Sequence, residues 1–345
     1  MTTSAKFQAI LLTLLVTAFF TSASVASTNV TVMTYNVDER TDFGAIVAVL
    51  TNGGDFVTAV DQTIAEVQRS NRGLRAHLIA AEIAKAQPDL VGLQEAAVWK
   101  FGDQTLDLLQ TILEDLAGQY TAVISVPEFQ INIAQLGIGF TDRDVILART
   151  GSALEIIGQP RYGYYRALVP LPAFPPYLPT TSSITRGWAY VDVLLNGTAF
   201  RFITTHLEDG TNTTSPIFAL VQALQEVQLV YSPALTFLPV IIAGDFNTIA
   251  NNPSSPTFLT YRFMLANGFT DAWRTAHPGT GGATCCQDDL QSSTPQLTQR
   301  LDQVFTRGRI SVVGAQLVDD YFMPPGSWPS DHAAVESELR VGPVL

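Results

Sequence analysis

Short apolar runs and amphipathic segments alternate along the first third of the chain. Val30–Tyr35 and Asp89–Leu93 are apolar runs of strand length, and each is followed by polar residues. Between them, Arg72–Ala86 carries apolar residues at helical spacing and stops before Gln87 and Pro88. A helix that leads through proline into a buried strand is typical of α/β architecture. The pattern therefore predicts strand, helix and strand in this order.

The rest of the chain continues the same alternation. Trp188–Leu195 and Ala199–Thr205 flank Asn196-Gly197, and an Asn-Gly step between apolar runs is a strong hairpin signal. Phe218–Tyr231 has helical spacing, and the proline-rich segment Pro170–Pro179 is expected to form a surface loop. Further strands are predicted over Ala122–Val126, Asp144–Ala148, Gln299–Thr306, Ile310–Val318 and Ala333–Leu339. Further helices are predicted over Thr105–Gly118 and Pro256–Ala266.

The stretch from Ile241 to Thr248 combines a buried strand with candidate chemistry. Its apolar start is long enough for a strand buried on both faces, and Asp245 and Asn247 follow after a glycine. If strand pairing continues to Asn247, these two polar side chains point to the same side. The alternative is a strand that ends in an Asx turn, since Asp, Asn and Gly are common turn residues.

Similar polar residues end or interrupt the other apolar strands. The complete set is Asn36, Asp38, Glu95, His206, Asp245, Asn247, Asp302, Asp331 and His332. Asp302 lies within an apolar strand and needs a partner, because an unpaired buried charge is costly. Carboxylates suit Mg²⁺, Mn²⁺ or Ca²⁺ better than thiolate-preferring zinc. The chain has no P-loop, no Rossmann glycine pattern and no nucleophile elbow, so the set favours metal-assisted attack of water at phosphorus.

Residues 1–26 have the layout of a secretory signal peptide. Lys6 precedes the apolar stretch Phe7–Phe20, and Ser24-Val25-Ala26 supplies small residues for cleavage near Ala26. The stretch is short for a membrane span, and an uncleaved signal anchor is the alternative. We therefore expect a secreted protein, extracellular or periplasmic, in which residues 27–345 form a single domain.

The net charge of −12 and the isoelectric point near 4.7 limit the partners of the chain. A general electrostatic hold on nucleic acid needs a basic face, which this composition disfavours. An enzyme that meets phosphate locally through a metal ion remains compatible with the composition.

The two cysteines, Cys285 and Cys286, are adjacent in the sequence. With no second pair to bridge, a disulfide scaffold is ruled out. A vicinal bridge and a pair of free thiols are both open alternatives.

Six short motifs together resemble the endonuclease/exonuclease/phosphatase superfamily, which includes deoxyribonuclease I-like nucleases, abasic-site endonucleases, sphingomyelinases and inositol-polyphosphate 5-phosphatases. The motifs are TYNVD (34–38), PDLVGLQE (88–95), TTHLE (204–208), IAGDFN (242–247), RLD (300–302) and SDH (330–332), in the family's order. The resemblance implies an α+β fold, a four-layer α/β sandwich. In this fold two mixed β-sheets pack face to face, helices lie on the outside, and the site lies at one end.

The resemblance also implies roles for the polar residues. Glu95 resembles the principal metal ligand, and the other residues expected near the metal are Asn36, Asp38 and Asp331. His332 resembles a catalytic histidine that Asp302 orients. Asp245 and Asn247 resemble groups that position the attacking water and hold the phosphate, and His206 one that binds the phosphate or protonates the leaving oxygen. Arg186 is expected either to contact phosphate or to be an exposed arginine at the start of a strand.

The expected function is hydrolysis of phosphodiester bonds by a secreted enzyme that uses a divalent metal, first Mg²⁺, with Mn²⁺ or Ca²⁺ as alternatives. A nuclease is the first expectation, and a ring of arginines around the site would support it. The alternative is a sphingomyelinase-like phospholipid phosphodiesterase, motivated by the loop Tyr162–Tyr177 and by Phe322 and Trp328. A non-catalytic binding or toxin-like module is the third possibility. We expect a monomer whose partner is the nucleic acid or phospholipid substrate, with no obligate protein partner.

Overall fold

The structure, a computed structural model, describes residues 27–39, 41, 43–171, 173–178, 183–209, 217–231, 237–318 and 327–343. Its strands are β1 Thr28–Asn36, β2 Leu90–Gln94, β3 Val98–Phe101, β4 Gln104–Asp107, β5 Tyr120–Ile133, β6 Ile138–Arg149, β7 Leu154–Tyr164, β8 Val169–Pro170, β9 Ser183–Ile184, β10 Gly187–Leu195, β11 Thr198–His206, β12 Val240–Asp245, β13 Thr270–Asp271, β14 Asp302–Arg307, β15 Ile310–Leu317 and β16 Val335–Val341. Its α-helices are α1 Gly44–Asn52, α2 Phe56–Arg69, α3 Arg72–Ala86, α4 Leu108–Asp115, α5 Ile217–Tyr231, α6 Phe258–Ala266 and α7 Ala272–Ala276.

Two large mixed sheets organise the described part of the chain. The first has the strand order β15-β16-β1-β2-β6-β3-β4, with β5 paired to β6, and the second has the order β13-β14-β12-β11-β10-β7. Each contains one parallel pair, β1 with β2 and β11 with β12, among antiparallel neighbours. The predicted α+β fold of two mixed sheets is therefore confirmed.

Alternation along the central strands produces the layers. In β1, Val30 and Val32 enter the core between the sheets, whereas Met33 and Tyr35 pack under α3 and α4. In β12, Ile241 enters the same central core, and its neighbours pack under α5 and α6. Both faces of these strands are buried, which explains why their sequences are continuous apolar runs rather than alternating ones.

The two sheets approach closely next to the polar strand ends. Gly92 of β2 faces the Thr204 side chain of β11, where a Cβ would collide with the threonine hydroxyl. Two residues further along β2, the side-chain amide of Gln94 donates a hydrogen bond to Thr204 Oγ1 at 2.9 Å. The polar ends of strands from both sheets therefore meet at one end of the sandwich.

Most predicted elements agree with the structure, and the differences have local causes. Helix α3 has the predicted bounds, and Asn196 and Gly197 both take positive φ in the predicted β10–β11 hairpin. The helix predicted from Thr105 begins only at Leu108, because Gln104–Asp107 pair with β3 and Asp107 caps the helix by accepting from Gln110 N.

The N-terminal prediction concerns residues that the structure does not describe. Residues 1–26 lie outside the described ranges, so the signal peptide and export remain predictions. Among the described helices, none combines the length and apolar character needed to cross a bilayer.

The central core generates a prediction about stability. Phe202 is fully buried between the sheets, whereas Phe237 is 94% exposed, so the pair offers matched substitutions. Phe202→Ala should lower the free energy of unfolding by about 3–5 kcal/mol, because it removes a ring and leaves a cavity. Phe237→Ala should change it by less than about 0.5 kcal/mol. Urea denaturation measures both, and equal effects of the two substitutions would contradict the layer assignment.

A buried carboxyl group on α5 generates a prediction about pH. Burial raises the pKa of Glu226 to about 8, and the nearby Tyr165 hydroxyl only partly opposes the shift. The unfolded chain loses this proton near its ordinary pKa of about 4.3, so rising pH between that value and about 8 destabilises the folded state. Glu226→Gln is neutral in both states, and its free energy of unfolding should exceed the wild-type value more at about pH 8 than at about pH 5.

The exposed Glu155 on β7 provides the control, because Glu155→Gln should shift the unfolding curve equally at both pH values. Parallel stability curves for wild type and Glu226→Gln would show that the Glu226 carboxyl is not held protonated by the fold.

Candidate active site

The polar strand ends meet because of the sheet pairings. In the first sheet, Asn36 pairs with Gln94 in the parallel β1–β2 ladder, so the segments that follow leave the same sheet edge. In the second sheet, His206 pairs with Asp245 in the parallel β11–β12 ladder, and Asp245 pairs with Asp302 of antiparallel β14. The carboxyl ends of four strands and the start of a fifth therefore lie together.

Asn36 connects the two sheets at this edge. Its side-chain nitrogen donates to Glu95 Oε1 at 2.9 Å and to Asp245 Oδ2 at 3.1 Å. The second oxygen of Glu95 accepts from Glu39 N at 3.0 Å. Both carboxylates are thereby oriented by the first strand, and Glu95 itself has a positive φ of 59° just beyond the end of β2.

Asp38 and Asp331 lie beside Glu95 and are anchored by a buried arginine. Arg75 of α3 donates to the carbonyl oxygens of Val37, Asp38 and Pro329, and its guanidinium lies 3.3 Å from Asp38 Oδ2. This one side chain therefore ties the segment after β1 to the segment that carries Asp331. Sequence reasoning missed Arg75, although it shares the buried face of α3 with Ile79 and Glu82.

Burial and the charges of neighbouring carboxylates raise the pKa values of acidic residues in this region. Burial, followed by the charge of Asp38, raises the pKa of Asp331 to about 8. Burial, followed by the charge of Glu95, raises the pKa of Glu39 well above its ordinary range. Carboxylates so close together favour either protons or a cation, and hard oxygen donors are the ligands of Mg²⁺, Mn²⁺ and Ca²⁺. Carboxylates of this kind suit a divalent cation, and the described groups whose ligand atoms lie within 4.8 Å of one another include Asp245 with Asp302 and His332, and Glu128 with Asp142 and His206.

His332 and Asp302 form a buried pair next to Asp245. His332 Nδ1 lies 2.8 Å from Asp302 Oδ2 and 4.0 Å from Asp245 Oδ2. Burial alone would lower the pKa of His332, but the carboxylates of Asp302, Asp331 and Asp245 outweigh it and raise the pKa well above its ordinary value. The partner that the sequence required for Asp302 is therefore this histidine.

The segment that contains the cysteines positions this pair. Thr284 Oγ1 accepts from Leu301 N and Asp302 N, and Thr284 O accepts from Ala333 N. Of the two alternatives left open by the sequence, the structure contains the vicinal disulfide between Cys285 and Cys286. The backbone of Cys285 pairs with both Gln299 and His332, so the bridge lies directly behind the histidine.

Asp245 and Asn247 are adjacent although the strand does not continue between them. Strand β12 ends at Asp245, Asn247 has a positive φ of 47°, and its backbone N–H donates to Asp245 Oδ1 at 2.8 Å. This is the Asx turn, yet it places both side chains at the site. Burial, followed by the charge of Asp302, raises the pKa of Asp245 to about 7.

His206 lies between these groups and Arg186. Its Nε2 is 3.2 Å from Asn247 Nδ2, 3.7 Å from Asp245 Oδ2 and 4.0 Å from Glu95 Oε1. Burial, then the positive charges of Arg186 and His332, lower the pKa of His206 well below its ordinary value. The two histidines of the site are therefore shifted in opposite directions.

Arg186 is enclosed by acidic side chains. The alternative of an exposed arginine is wrong, because only 14% of its side chain is accessible. Its NH1 lies 3.2 Å from Asp142 Oδ2 and 3.9 Å from Glu128 Oε2, and its Nε lies 3.7 Å from Glu208 Oε2. Sequence reasoning missed these carboxylates, although Asp142 and Asp144 alternate within the apolar end of β6, which is the available signal.

Of the other arginines that could form a ring around the site, three pair with carboxylates. Arg143 pairs with Asp107, Arg149 with Asp89, and Arg300 with Asp271. Arg161 and Arg166 are exposed on and beyond β7. Trp328 is buried, and Phe322 lies outside the described residues. The described chain therefore provides no ring of free arginines at this edge.

Solved structures of low sequence identity share this fold. An endonuclease/exonuclease/phosphatase family protein from Bacteroides thetaiotaomicron has a TM-score of 0.59 at 20% identity, covering 91% of this chain and 98% of its own. A mannosyl-6-phosphatase from the same species has a TM-score of 0.58 at 20% identity, covering 90% and 99%. D. rerio TDP2 with single-strand DNA product has a TM-score of 0.54 at 15% identity, covering 90% and 99%.

No curated protein matches the chain by sequence. The profile of the Endonuclease/Exonuclease/phosphatase family matches residues 33–332, which span every polar residue of the site described above. The chain belongs to the endonuclease/exonuclease/phosphatase family.

Proposed function

We propose that this protein is a divalent-metal-dependent phosphodiesterase that hydrolyses its substrate by in-line attack of an activated water. The observation that carries the proposal is the placement of Asp245. It lies between a carboxylate cluster suited to a cation, reached through Asn36, and the buried His332–Asp302 pair. Electrostatic and proton-transfer groups thus converge on one small space.

The residues that would hold the cation are Glu95, Asp331 and Asp38. Asn36 donates from its nitrogen to Glu95, so it acts in this arrangement by orienting that carboxylate. When bound, the cation would neutralise charge that develops on the phosphoryl oxygens. Mg²⁺ is the first candidate for this hard donor set, and Mn²⁺ and Ca²⁺ are alternatives.

Two buried groups could take part in moving the proton of the attacking water. Asp245 has a pKa near the working range of a general base, about 7. His332 holds its Nδ1 against Asp302, so its Nε2 is the nitrogen available for proton transfer. His332 Nδ1 and Asp245 Oδ2 lie 4.0 Å apart, so the protonation of these two groups is coupled.

Asn247 and His206, which lie next to Asp245, would hold the phosphate. Asn247 is held by its own backbone bond to Asp245 and by donation from Nδ2 to Leu207 O at 2.8 Å. His206 lies beside it with Nε2 directed at the same space. Fixed dipoles of this kind stabilise the charge of a transition state without reorganisation.

Nucleic acid is the first substrate class that we propose. The TDP2 neighbour was solved with a single-strand DNA product, which supports this class only at the level of a shared fold. The net charge of −12 and the pairing of Arg143, Arg149 and Arg300 with carboxylates weigh against an enzyme that tracks along duplex DNA. We therefore favour single-stranded or short nucleic acid over long duplexes.

A phospholipid is the second candidate, and a specific surface favours it. Tyr162 and Tyr164 of β7 are 55% and 44% exposed, and Leu168 beyond them is 38% exposed. Tyr164 pairs with Gly187, the residue after Arg186, so this surface lies at the same end of the second sheet as the site. Aromatic and aliphatic side chains of this kind suit a lipid interface.

We also propose that the protein is exported after cleavage near Ala26 and that it is a monomer.

The deciding experiment is a side-by-side assay of purified protein with Mg²⁺, Mn²⁺ or Ca²⁺. The substrates are single-stranded DNA, plasmid DNA, RNA, sphingomyelin vesicles and mannose 6-phosphate. We expect cleavage of a phosphodiester, with single-stranded nucleic acid cut faster than plasmid DNA. Cleavage of lipid alone would replace the nucleic-acid assignment, and turnover of the sugar phosphate alone would make the protein a monoesterase.

His332→Ala separates this site from contaminating activity in the same assay. Loss of the group that moves the proton should lower kcat by about 10²–10⁴-fold while the folded state is kept. The exposed His77 provides the matched control, and His77→Ala should keep wild-type turnover. Wild-type rates in His332→Ala would refute the site, and no turnover on any substrate would leave the non-catalytic module as the better account.

Removal of the metal generates a further prediction. Chelation by EDTA should abolish turnover, and excess Mg²⁺ or Mn²⁺ should restore it. Glu95→Gln keeps the shape of the side chain but removes a charged ligand, so it should need a much higher Mn²⁺ concentration for half-maximal activity. Titration calorimetry with Mn²⁺ measures the same loss without substrate. Full activity in EDTA would exclude the metal mechanism.

A further inference from the structure

Arg186 contacts His206 in a way that determines which ring nitrogen carries the proton. Arg186 NH1 lies 2.9 Å from His206 Nδ1. A guanidinium has only donors and stays charged, so in this contact Arg186 donates and His206 Nδ1 accepts. A neutral imidazole that accepts at Nδ1 carries its proton on Nε2.

We propose that Arg186 is a positioning residue that holds His206 as the neutral Nε2–H tautomer, so that His206 serves as a fixed hydrogen-bond donor rather than a general acid or base. The part of this inference that concerns catalysis rests on the proposed function. The part that concerns the tautomer rests on the contact with Arg186 alone.

Asn247 is a second potential hydrogen-bond donor to the ring of His206, and it is the weaker of the two donors. Asn247 Nδ2 lies 3.2 Å from His206 Nε2, but it also donates to Leu207 O at 2.8 Å. A neutral ring cannot accept at both nitrogens, so only one of the two donors can be bonded. The contact with Arg186 is shorter and comes from a charged donor, and such bonds are about twice as strong as neutral ones.

The carboxylates around Arg186 hold the guanidinium in this position. Asp142, Glu208 and Glu128 approach it at 3.2, 3.7 and 3.9 Å, and all three are buried. The backbone of Arg186 is also fixed, because its carbonyl oxygen accepts from Tyr165 N at 2.9 Å. A charged donor is thus held against His206 before any substrate arrives.

The same contact leaves no room for a proton on Nδ1 of His206. An imidazolium would turn an Nδ1–H toward the guanidinium N–H, and two like charges would meet 2.9 Å apart. Nε2 lies next to the space between Asp245 Oδ2 and Glu95 Oε1, at 3.7 and 4.0 Å, both beyond hydrogen-bond distance. A phosphoryl oxygen in that space would accept the hydrogen bond.

The two histidines of the site therefore differ in whether Nδ1 carries a proton. His332 places Nδ1 against the Asp302 carboxylate at 2.8 Å, which requires a proton on Nδ1 and leaves Nε2 to exchange protons. His206 places Nδ1 against a cation and keeps its proton on Nε2. Of the two histidines, His332 is the one that can act in proton transfer, and His206 binds the phosphate.

Nitrogen NMR of the histidine rings tests the tautomer directly. The chain has four histidines, so selective ¹⁵N labelling gives few signals, and His206→Gln assigns those of His206. We expect an unprotonated Nδ1 and a protonated Nε2 for His206, without substrate or metal. A protonated Nδ1, or a doubly protonated ring at neutral pH, would overturn the proposal. This outcome does not depend on turnover, so the tautomer can fail or stand separately from the proposed function.

Substitution of Arg186 tests its effect on the reaction. Arg186→Met should release His206 into a mixture of tautomers and lower kcat on the order of 10²-fold with little change in KM. Arg186→Lys keeps a charged donor, so it should retain the Nε2–H tautomer and recover part of kcat. If Arg186→Met unfolds because buried carboxylates lose their cation, Arg186→Met combined with Asp142→Asn reduces that charge.

Arg143 offers a matched control. It too is 14% exposed and pairs with a carboxylate, Asp107, yet it makes no recorded contact with His206. Arg143→Met should leave the nitrogen signals of His206 unchanged, although it costs a similar ion pair. An unchanged His206 tautomer in folded Arg186→Met would show that Arg186 does not set it.

Discussion

The structure depends on the burial of many carboxylates where its two sheets meet. Asp245 ends β12, Asp302 begins β14 and Glu95 directly follows β2, while Asp38 and Asp331 lie in adjoining segments. Buried carboxylates need partners, because desolvation and mutual repulsion disfavour their charged forms. Each neighbour in this region can be understood as an answer to that requirement: Asn36 donates to two carboxylates, Arg75 pairs with Asp38, and His332 pairs with Asp302. We propose that a divalent cation would occupy the carboxylates beside Glu95.

The buried carboxylates near His206 also need a partner, and here the partner is an arginine. Glu128, Asp142 and Glu208 surround Arg186, so this guanidinium is fixed by acidic groups and not available for general attraction of phosphate. Burial works against its charge, yet these carboxylates outweigh burial and raise its pKa further. Its remaining contact is with His206, which connects the arrangement of buried charge to the chemistry of the site. An acidic protein can thus meet a phosphate through a cation and neutral donors, without a basic surface.

The sequence predicted the fold and the polar strand ends because both follow from local pattern. Continuous apolar runs required strands buried on both faces, and Asp302 required a partner, which is His332. Arg75, Asp142 and Glu208 were missed, since their importance arises only when distant strands and helix α3 come together. The helix predicted from Thr105 began too early, because pairing of β4 with β3 overrides the helical preference of that segment. Whether Asp245 and Asn247 share a strand or a turn also could not be read from spacing, because the turn and the strand place the two side chains near each other alike.

We propose above all that the carboxylates beside Glu95 bind a hard divalent cation. Anomalous diffraction from crystals grown with Mn²⁺ tests it most directly, since the ion is located without reference to activity. We expect a strong Mn²⁺ peak bounded by the side-chain oxygens of Glu95 and Asp331, and no such peak among Glu128, Asp142 and His206, where the guanidinium of Arg186 lies. A vacant Glu95 site in the presence of excess Mn²⁺, or a peak only in the Arg186 cluster, would contradict it.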